Sequence, residues 1–324
     1  MSVHTPVRIG LIGLGRFGVG FHLRRLLAMG EAVTIASLCD RSPERLAARD
    51  EHLVDCHTCT DFAELIDPDR VDGVIVSTPN PEHFAPCKLA IERGVPVMVD
   101  KTTTVTAADA EILVRLSHER NVPIVTAFTR HFFPAVEFVR EQIRSGGAGE
   151  VLAMEALQLG CPTNDRPQDG GFLHQRNVHL FDLIPWLTGS PISAVEARVC
   201  YDGPWETLAD MHLYLASGTS AHFLSLSATA QNQDEISIYG SQAIYRIQRE
   251  QLFVNQPRGV WEQKQDLPEA SGSSTTHFVD VVRGSLPVGQ QNGARHGDDG
   301  LRAMRVLEAV VTASRTGKQV ELPT

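Results

Sequence analysis

The chain has 324 residues, 42% hydrophobic and 21% charged, with a formal net charge of −10, enough for two globular domains with cores of their own. The acidic balance argues against a nucleic-acid surface, which needs clustered Lys and Arg, and against a basic membrane-binding face. No apolar run approaches the ~20 residues of a membrane span, and the short polar start runs at once into a βα unit with no place for a signal peptide, so a cytoplasmic protein is expected.

Val7 to Ile12 is a short apolar run that predicts a buried parallel strand. Gly13-Leu14-Gly15-Arg16-Phe17-Gly18 follows and opens a helix with Leu23, Leu26 and Leu27 on one side. Gly13 permits the tight turn, Gly15 lets the backbone approach a pyrophosphate, and Gly18 lets helix and strand pack closely. The helix N-terminus offers free N–H groups to phosphates, and Arg16 and Phe17 are counted with the glycines as cofactor contacts. Ala32 to Cys39 predicts a second strand ending on Asp40, placed to accept from the adenosine ribose hydroxyls, which favours NAD. Arg41 could stack on adenine or meet a 2′-phosphate, and keeps NADP open.

Cys56-His57-Thr58-Cys59 has CxxC spacing, but a structural zinc site needs four ligands and no second pair stands at zinc-ribbon spacing. With Cys39, Cys87, Cys161 and Cys200 these are read as ordinary reduced cysteines. Val71 to Val76 is the next strand, running into Ser77-Thr78-Pro79-Asn80. Asn80 is read as a helix cap before Pro81, with Pro86 forcing a later start or a kink and Gly94 ending the helix. Val95 to Val99 delivers Asp100-Lys101-Thr102, and Thr106 to Arg120 is helical, opened by a Thr106/Asp109 capping pair. Val122 to Ala127 completes about six strands. The alternation predicts a doubly wound parallel Rossmann sheet, α/β in class, over residues 1–128. Ligands bind at the carboxyl ends of such strands, so Thr78, Pro79, Asn80, His83, Asp100 and Lys101 join the glycine loop as cofactor contacts.

Residues 129–324 are read as an α+β domain for substrate and oligomerisation. Asn177 to Leu187 is a helix carrying Val178, Phe181, Leu183 and Ile184. Val195 to Val199 and Met211 to Leu215 alternate with period two, and Ser217-Gly218-Thr219 turns the latter into Ala221 to Leu226 as a hairpin. The sheet is expected to be largely antiparallel and open-faced, its uncovered face suiting a homodimer or homotetramer. His212 and His222 are read as face residues without chemistry, and the histidine spacing suggests no metal. Gly259 to Ser274 is read as a polar mobile loop. Asp298 to Ser314 is a helix with Ala303, Val306, Leu307, Val310 and Val311 on its packed face.

Taken together, these residues resemble the glucose–fructose oxidoreductase / inositol dehydrogenase / rhizopine catabolism (Gfo/Idh/MocA) family over nearly the whole chain. The glycine loop, Asp40, Ser77 to His83, Asp100-Lys101, Thr129 to Ala135 with Ile143 to Gly146, and Asn177 to Asp182 preceded by Gly170-Gly171 carry the resemblance in order. The family's Glu-Lys-Pro stands here as Asp100-Lys101-Thr102. Its Asp-x-Gly-x-His-x-x-Asp helix keeps His179 and Asp182, with Gln175 for an Asp and Asn177 for a Gly.

The resemblance implies an NAD(P)-dependent oxidoreductase that moves hydride between the nicotinamide and a secondary alcohol of a sugar, inositol or related polyol. His179 is implied as general acid/base, Asp182 as its orienter or a hydroxyl ligand, and Lys101 as the charge beside the developing alkoxide. Arg130, His174, Gln175, Arg176, Asn177 and His179 are the candidate substrate contacts. Gln175 keeps two alternatives open: an NAD(P)-binding regulator or sensor without turnover, and an NAD-dependent glycosidase or lyase that returns its hydride.

Overall fold

The computed structural model describes residues 5–48, 53, 56–160, 171–256, 259–285 and 296–323. Two compact units divide the chain: Met1–Phe128 with Gly272–Leu301, and Thr129–Ser271 with Arg302–Thr324. The sequence reading had assigned all of 129–324 to the second domain; the stretch 272–301 groups with the first instead.

In the first unit, β1 (Val7–Ile12) leads through a wide π-type helical turn, Gly18–Leu23, into α1 (Arg24–Ala28). There follow β2 (Val33–Cys39), α2 (Pro43–Ala47), β3 (His57–Cys59), α3 (Phe62–Leu65) and β4 (Gly73–Val76). A 3₁₀ turn at Asn80–Glu82 precedes α4 (Phe84–Glu92), then come β5 (Val97–Val99), α5 (Ala107–Arg120) and β6 (Ile124–Thr126). The strands form a six-stranded sheet in the order β3-β2-β1-β4-β5-β6, each pair parallel. The order reverses between β1 and β4, the switch point at which α/β sheets open a ligand crevice.

Apolar strands buried on both faces explain this sheet. Ile9, Leu11, Leu26, Met98 and Phe278 pack in one core, and Ile12, Val74, Val76, Cys87, Ile91 and Leu113 in a second. The Thr106 cap is present, its hydroxyl accepting from the Asp109 N–H at 3.1 Å. The later start beyond Pro81 is present as well, but Asn80 lies inside the 3₁₀ turn and does not cap α4. Leu27, expected on the packed face, is 38% exposed, since it lies about 100° round the helix axis from the buried Leu26.

The second unit contains α6 (Pro134–Arg144), β7 (Val151–Leu159), a π-type turn at Leu173–Asn177 and α7 (Val178–Thr188). Strands β8 (Ile192–Asp202), β9 (Trp205–Leu215), β10 (Ser220–Leu226), β11 (Gln233–Gly240), β12 (Ile244–Gln248), β13 (Gln251–Asn255) and β14 (Glu262–Lys264) follow. Helix α8 (Ser274–Arg283) belongs to the first unit, and α9 (Asp298–Thr316) and β15 (Val320–Glu321) follow it. The nine-stranded sheet runs β14-β13-β12-β11-β7-β10-β9-β8-β15. It is antiparallel apart from the β7/β10 pair. Met211, Leu213 and Leu215 are buried while Asp210, His212 and Tyr214 turn to the other face, the alternation a half-buried strand requires.

Three expectations need correction. Gly259 to Ser274 is not all loop, because β14 pairs with β13 and Ser273 begins a capping box for α8. The sequence reading did not foresee α8; its Phe278 is wholly buried in the first unit's core. In α9, Ala303, Val306, Leu307 and Val310 are buried but Val311 is 36% exposed, since eight residues of α-helix carry a side chain about 80° round the axis. Among the described residues no helix is long and apolar enough to cross a membrane.

Candidate functional site

The glycine loop is built as its spacing requires. Gly13 has φ +96°, and a Cβ there would lie 2.4 Å from the Ser77 carbonyl oxygen, so no other residue fits the turn. A Cβ on Gly18 would lie 2.1 Å from the Gly13 carbonyl oxygen, which fixes how closely helix and strand approach. At Gly15 no heavy atom stands within 4 Å of an added Cβ. The backbone is bare on the side where a pyrophosphate would approach. Arg16 and Phe17 are exposed, with Phe17 stacked on Phe21 at 4.7 Å.

Asp40 is 7% exposed, and it ties this loop in place. Its Oδ2 accepts from the Leu14 N–H at 2.7 Å and its Oδ1 from the Ser42 N–H at 2.9 Å. Oδ2 also accepts from Arg45 Nη1 at 3.4 Å, while Oδ1 retains a further lone pair for a ribose hydroxyl. Arg41 forms an ion pair with Glu82 at 2.8 Å. Thr78, at the carboxyl end of β4, has a buried Oγ1 with no hydrogen-bond partner among the described residues. An open glycine cradle beside an orphaned hydroxyl fits a dinucleotide.

Asp100 does something other than face the crevice. Its Oδ1 lies 2.9 Å from His22 Nε2 and its Oδ2 accepts from the Ser77 hydroxyl at 2.5 Å. The far nitrogen of His22 meets Thr275 Oγ1 at 2.9 Å. Burial pushes the Asp100 carboxyl upward, but His22 and the Ser77 hydroxyl outweigh it and hold the group below the usual carboxylate range. Asp100 thus joins β5, the end of β4, the glycine-loop helix and α8. His83 is wholly buried, its ring nitrogens 2.7 Å and 2.8 Å from the carbonyls of Thr102 and Thr78. Pro79 is exposed and Asn80 buried beside it. Lys101 is half-buried directly after Asp100, followed by the buried Thr102, Thr103 and Thr104.

In the second unit a cavity of about 320 Å³ is lined by Arg130, His179, Asp234, Arg249 and Glu250 among apolar neighbours such as Phe133 and Leu183. Arg130 donates through both terminal nitrogens to Asp234, one of them at 3.2 Å, a fork geometry suited to arginine. Arg176 donates to the Leu159 carbonyl at 3.0 Å. Burial is the largest influence on its guanidinium and lowers it, as does nearby Arg130. His174 and Gln175 are half-buried on the turn before α7.

Two expected site residues are committed elsewhere. The Asp182 carboxylate lies 2.7 Å from His131 Nε2, and the His131 ring stacks on Trp186 at 4.4 Å. The carboxylate expected to steer His179 is therefore held by another histidine. Asn177 is wholly buried, and its amide donates to Gln158 Oε1 at 2.7 Å and Ser225 Oγ at 2.6 Å. It braces the turn onto β7 and β10. Neither residue lines the cavity, and His174, Gln175 and Arg176 do not line it either; of the expected substrate contacts Arg130 and His179 do.

Sequence reasoning missed His22, Thr275 and Asp234. His22 sits on a helix read only for its leucines, Thr275 on a helix not foreseen, and Asp234 in a strand not predicted. The cysteines behave as expected of structural thiols: Cys39 and Cys59 are cross-strand neighbours, and burial pushes both upward. Cys161, like Gly170, lies outside the described residues.

Residues 7–128 match the "Oxidoreductase family, NAD-binding Rossmann fold", and residues 136–246 match the "GFO/IDH/MocA C-terminal domain". An inositol 2-dehydrogenase of Corynebacterium glutamicum (strain R) is 28% identical over 193 residues, 59% of this chain and 57% of that protein. The rhizopine catabolism protein MocA of Rhizobium meliloti is 31% identical over 189 residues, 57% of this chain and 58% of its own. The chain thus spans less than two thirds of either relative. An aldose-aldose oxidoreductase from Caulobacter crescentus shares the fold at 23% identity with a TM-score of 0.84, covering 98% of this chain and 100% of that one.

Proposed function

The chain belongs to the GFO/IDH/MocA oxidoreductase family, and from that premise we propose that it is an NAD-dependent dehydrogenase acting on a secondary alcohol of a sugar, inositol or related polyol. The observation that carries this reading is the open glycine cradle of the first unit, with Asp40 and the unpartnered Thr78 hydroxyl; the second unit, taken by itself, holds a cavity lined by charged groups and His179. Bound NAD supplies a hydride acceptor at the nicotinamide ring. The residues of the chain supply binding, orientation and proton transfer.

Gly13, Gly15 and Gly18, with Arg16 and Phe17, hold the pyrophosphate, Asp40 holds the adenosine ribose, and Thr78 offers its unpartnered hydroxyl. Pro79, Asn80 and His83 shape the same crevice. Arg41 is paired with Glu82 and Arg45 with Asp40, so a 2′-phosphate would compete with a carboxylate for either arginine, which favours NAD over NADP. Asp100 positions Lys101 rather than touching the cofactor itself. Arg130, His174, Gln175 and Arg176 orient the polyol. His179 takes the hydroxyl proton as hydride leaves, and the Lys101 ammonium stabilises the developing alkoxide. Removal of Asn177 and Asp182 from direct substrate duty follows from their buried commitments.

A cytoplasmic location and a homodimer or homotetramer through the open sheet face complete the reading. A panel of inositols, aldoses and alditols incubated with NAD or NADP tests it by reduced-cofactor absorbance. NADH formation with at least one polyol, and weaker use of NADP, is the expected result; cofactor binding with no turnover across the panel would favour a sensor instead.

A further inference from the structure

We propose that Asp210, His212 and His222, on the polar face of the second unit's sheet, form a binding site for a divalent transition-metal cation of the zinc class. Residues His212 and His222 are direct cross-strand partners on β9 and β10, and their rings stack with centroids 4.5 Å apart. Asp210 lies two residues before His212 on the same face, with Oδ1 2.8 Å from His222 Nε2. One ligand atom from each of the three can be chosen so that all lie within 4.8 Å of one another.

Ligand atoms around one tetrahedral zinc ion stand about 3.3 Å apart, as bonds of 2.0–2.1 Å require. Asp210 Oδ1 and His222 Nε2, 2.8 Å apart, already stand near that spacing, so it is chiefly His212 that must move in. His222 and Asp210 have side chains 42% and 44% exposed in the single chain, and His212 is exposed, so side-chain rotation at this surface supplies the movement without disturbing the core. Two imidazoles and one carboxylate form a donor set that zinc, nickel and copper accept. The fourth position stays open to water.

The surroundings are suited to a cation. Glu196 on β8, His212, His222 and Glu155 on β7 form one continuous row across four adjacent strands. Glu196 accepts from the Tyr214 hydroxyl at 3.1 Å and Glu155 from the Tyr239 hydroxyl at 2.5 Å. Each phenol is held above its ordinary range by that bond, so it stays a donor to its carboxylate. Arg198, the cross-strand neighbour of Asp210, and Arg246, which continues the row beyond Glu155 through Ser237, are the opposing cations among the described residues of this register. All of these groups come from a single chain, and the face that carries them is the one proposed above to meet a second copy, so an ion here would sit at that contact.

Zinc titration of the full chain, stripped with a chelator and followed calorimetrically, tests the proposal. Zinc should bind the wild type at one equivalent through this site and raise its unfolding midpoint. His212→Ala and His222→Ala should each weaken binding at least about tenfold, and the double variant should abolish both the binding and the zinc-dependent stabilisation. Asp210→Asn should weaken it less. Binding should also fade as pH drops from about 7.5 to 5.5, as protons compete for the imidazole nitrogens. Should the alanine variants lose stability without metal, His212→Gln and His222→Gln serve in their place. Wild-type protein that takes up no zinc, or a double variant that binds it as well as wild type does, overturns the proposal.

Discussion

Replacing His22 by alanine probes the buried network beneath the glycine loop. His22 has no exposure and Asp100 13%, and their atoms lie 2.9 Å apart. Removing one partner of such a pair leaves an uncompensated buried charge and costs about 3–5 kcal/mol. The Ser77 hydroxyl still serves one oxygen, which places the loss near the lower end, at about 3 kcal/mol. The cost should also depend on pH. In the wild type the Asp100 carboxyl is held low, so its contribution is present above the unfolded value of about 3.9 and disappears as pH falls through the lower folded value. Without His22, burial is opposed chiefly by the Ser77 hydroxyl, so the folded carboxyl rises and the variant's folded state binds more protons than its unfolded state. The gap between the two proteins should therefore widen as pH rises from about 4 to 7. Urea unfolding followed by far-UV circular dichroism measures it. Fluorescence would not, because Trp186, Trp205 and Trp261 all lie in the second unit. A loss under about 1 kcal/mol, or one that stays flat with pH, would refute the electrostatic account.

Other substitutions separate stability from binding. Gly15→Ala should leave stability within about 0.5 kcal/mol of wild type yet raise the Kd for NAD about tenfold, since its Cβ meets no protein atom and occupies the phosphate's approach. Gly18→Ala should lose both, its Cβ colliding with the Gly13 carbonyl; isothermal titration and thermal unfolding read the pair. Asn177→Ala should cost about 2 kcal/mol in chemical denaturation, by stranding the Gln158 carbonyl and the Ser225 hydroxyl, while KM changes less than about twofold. Asp182→Asn should lower the unfolding midpoint through His131 and leave kcat within about tenfold of wild type.

Much of the first unit is readable from sequence because its signals are local. The strand runs, the Thr106 cap and the glycine spacing depend on neighbours a few residues away, so Gly13, Gly18 and Asp40 sit where the pattern implies. Asp100 was read as a crevice residue because strand ends usually face ligand. Its turn inward depends on His22, from another βα unit, and on Thr275, which returns to the sheet from the far end of the chain. The same limit applies in the second unit. A three-residue spacing puts His179 and Asp182 on one side of a helix, yet His131 from the turn before α6 takes the carboxylate. The histidines at 212 and 222 carry no metal spacing in sequence. Hairpin register alone makes them neighbours.

The central claim is that His179 and Lys101 carry the chemistry on a chain that binds NAD independently of them. Steady-state turnover of the best polyol from the substrate panel, measured for wild type, His179→Ala and Lys101→Ala alongside NAD titrations of each, tests it most directly. The account predicts that kcat falls about 10²- to 10⁴-fold in both variants while the Kd for NAD changes less than about threefold. Turnover that stays near the wild-type value in both variants would contradict it.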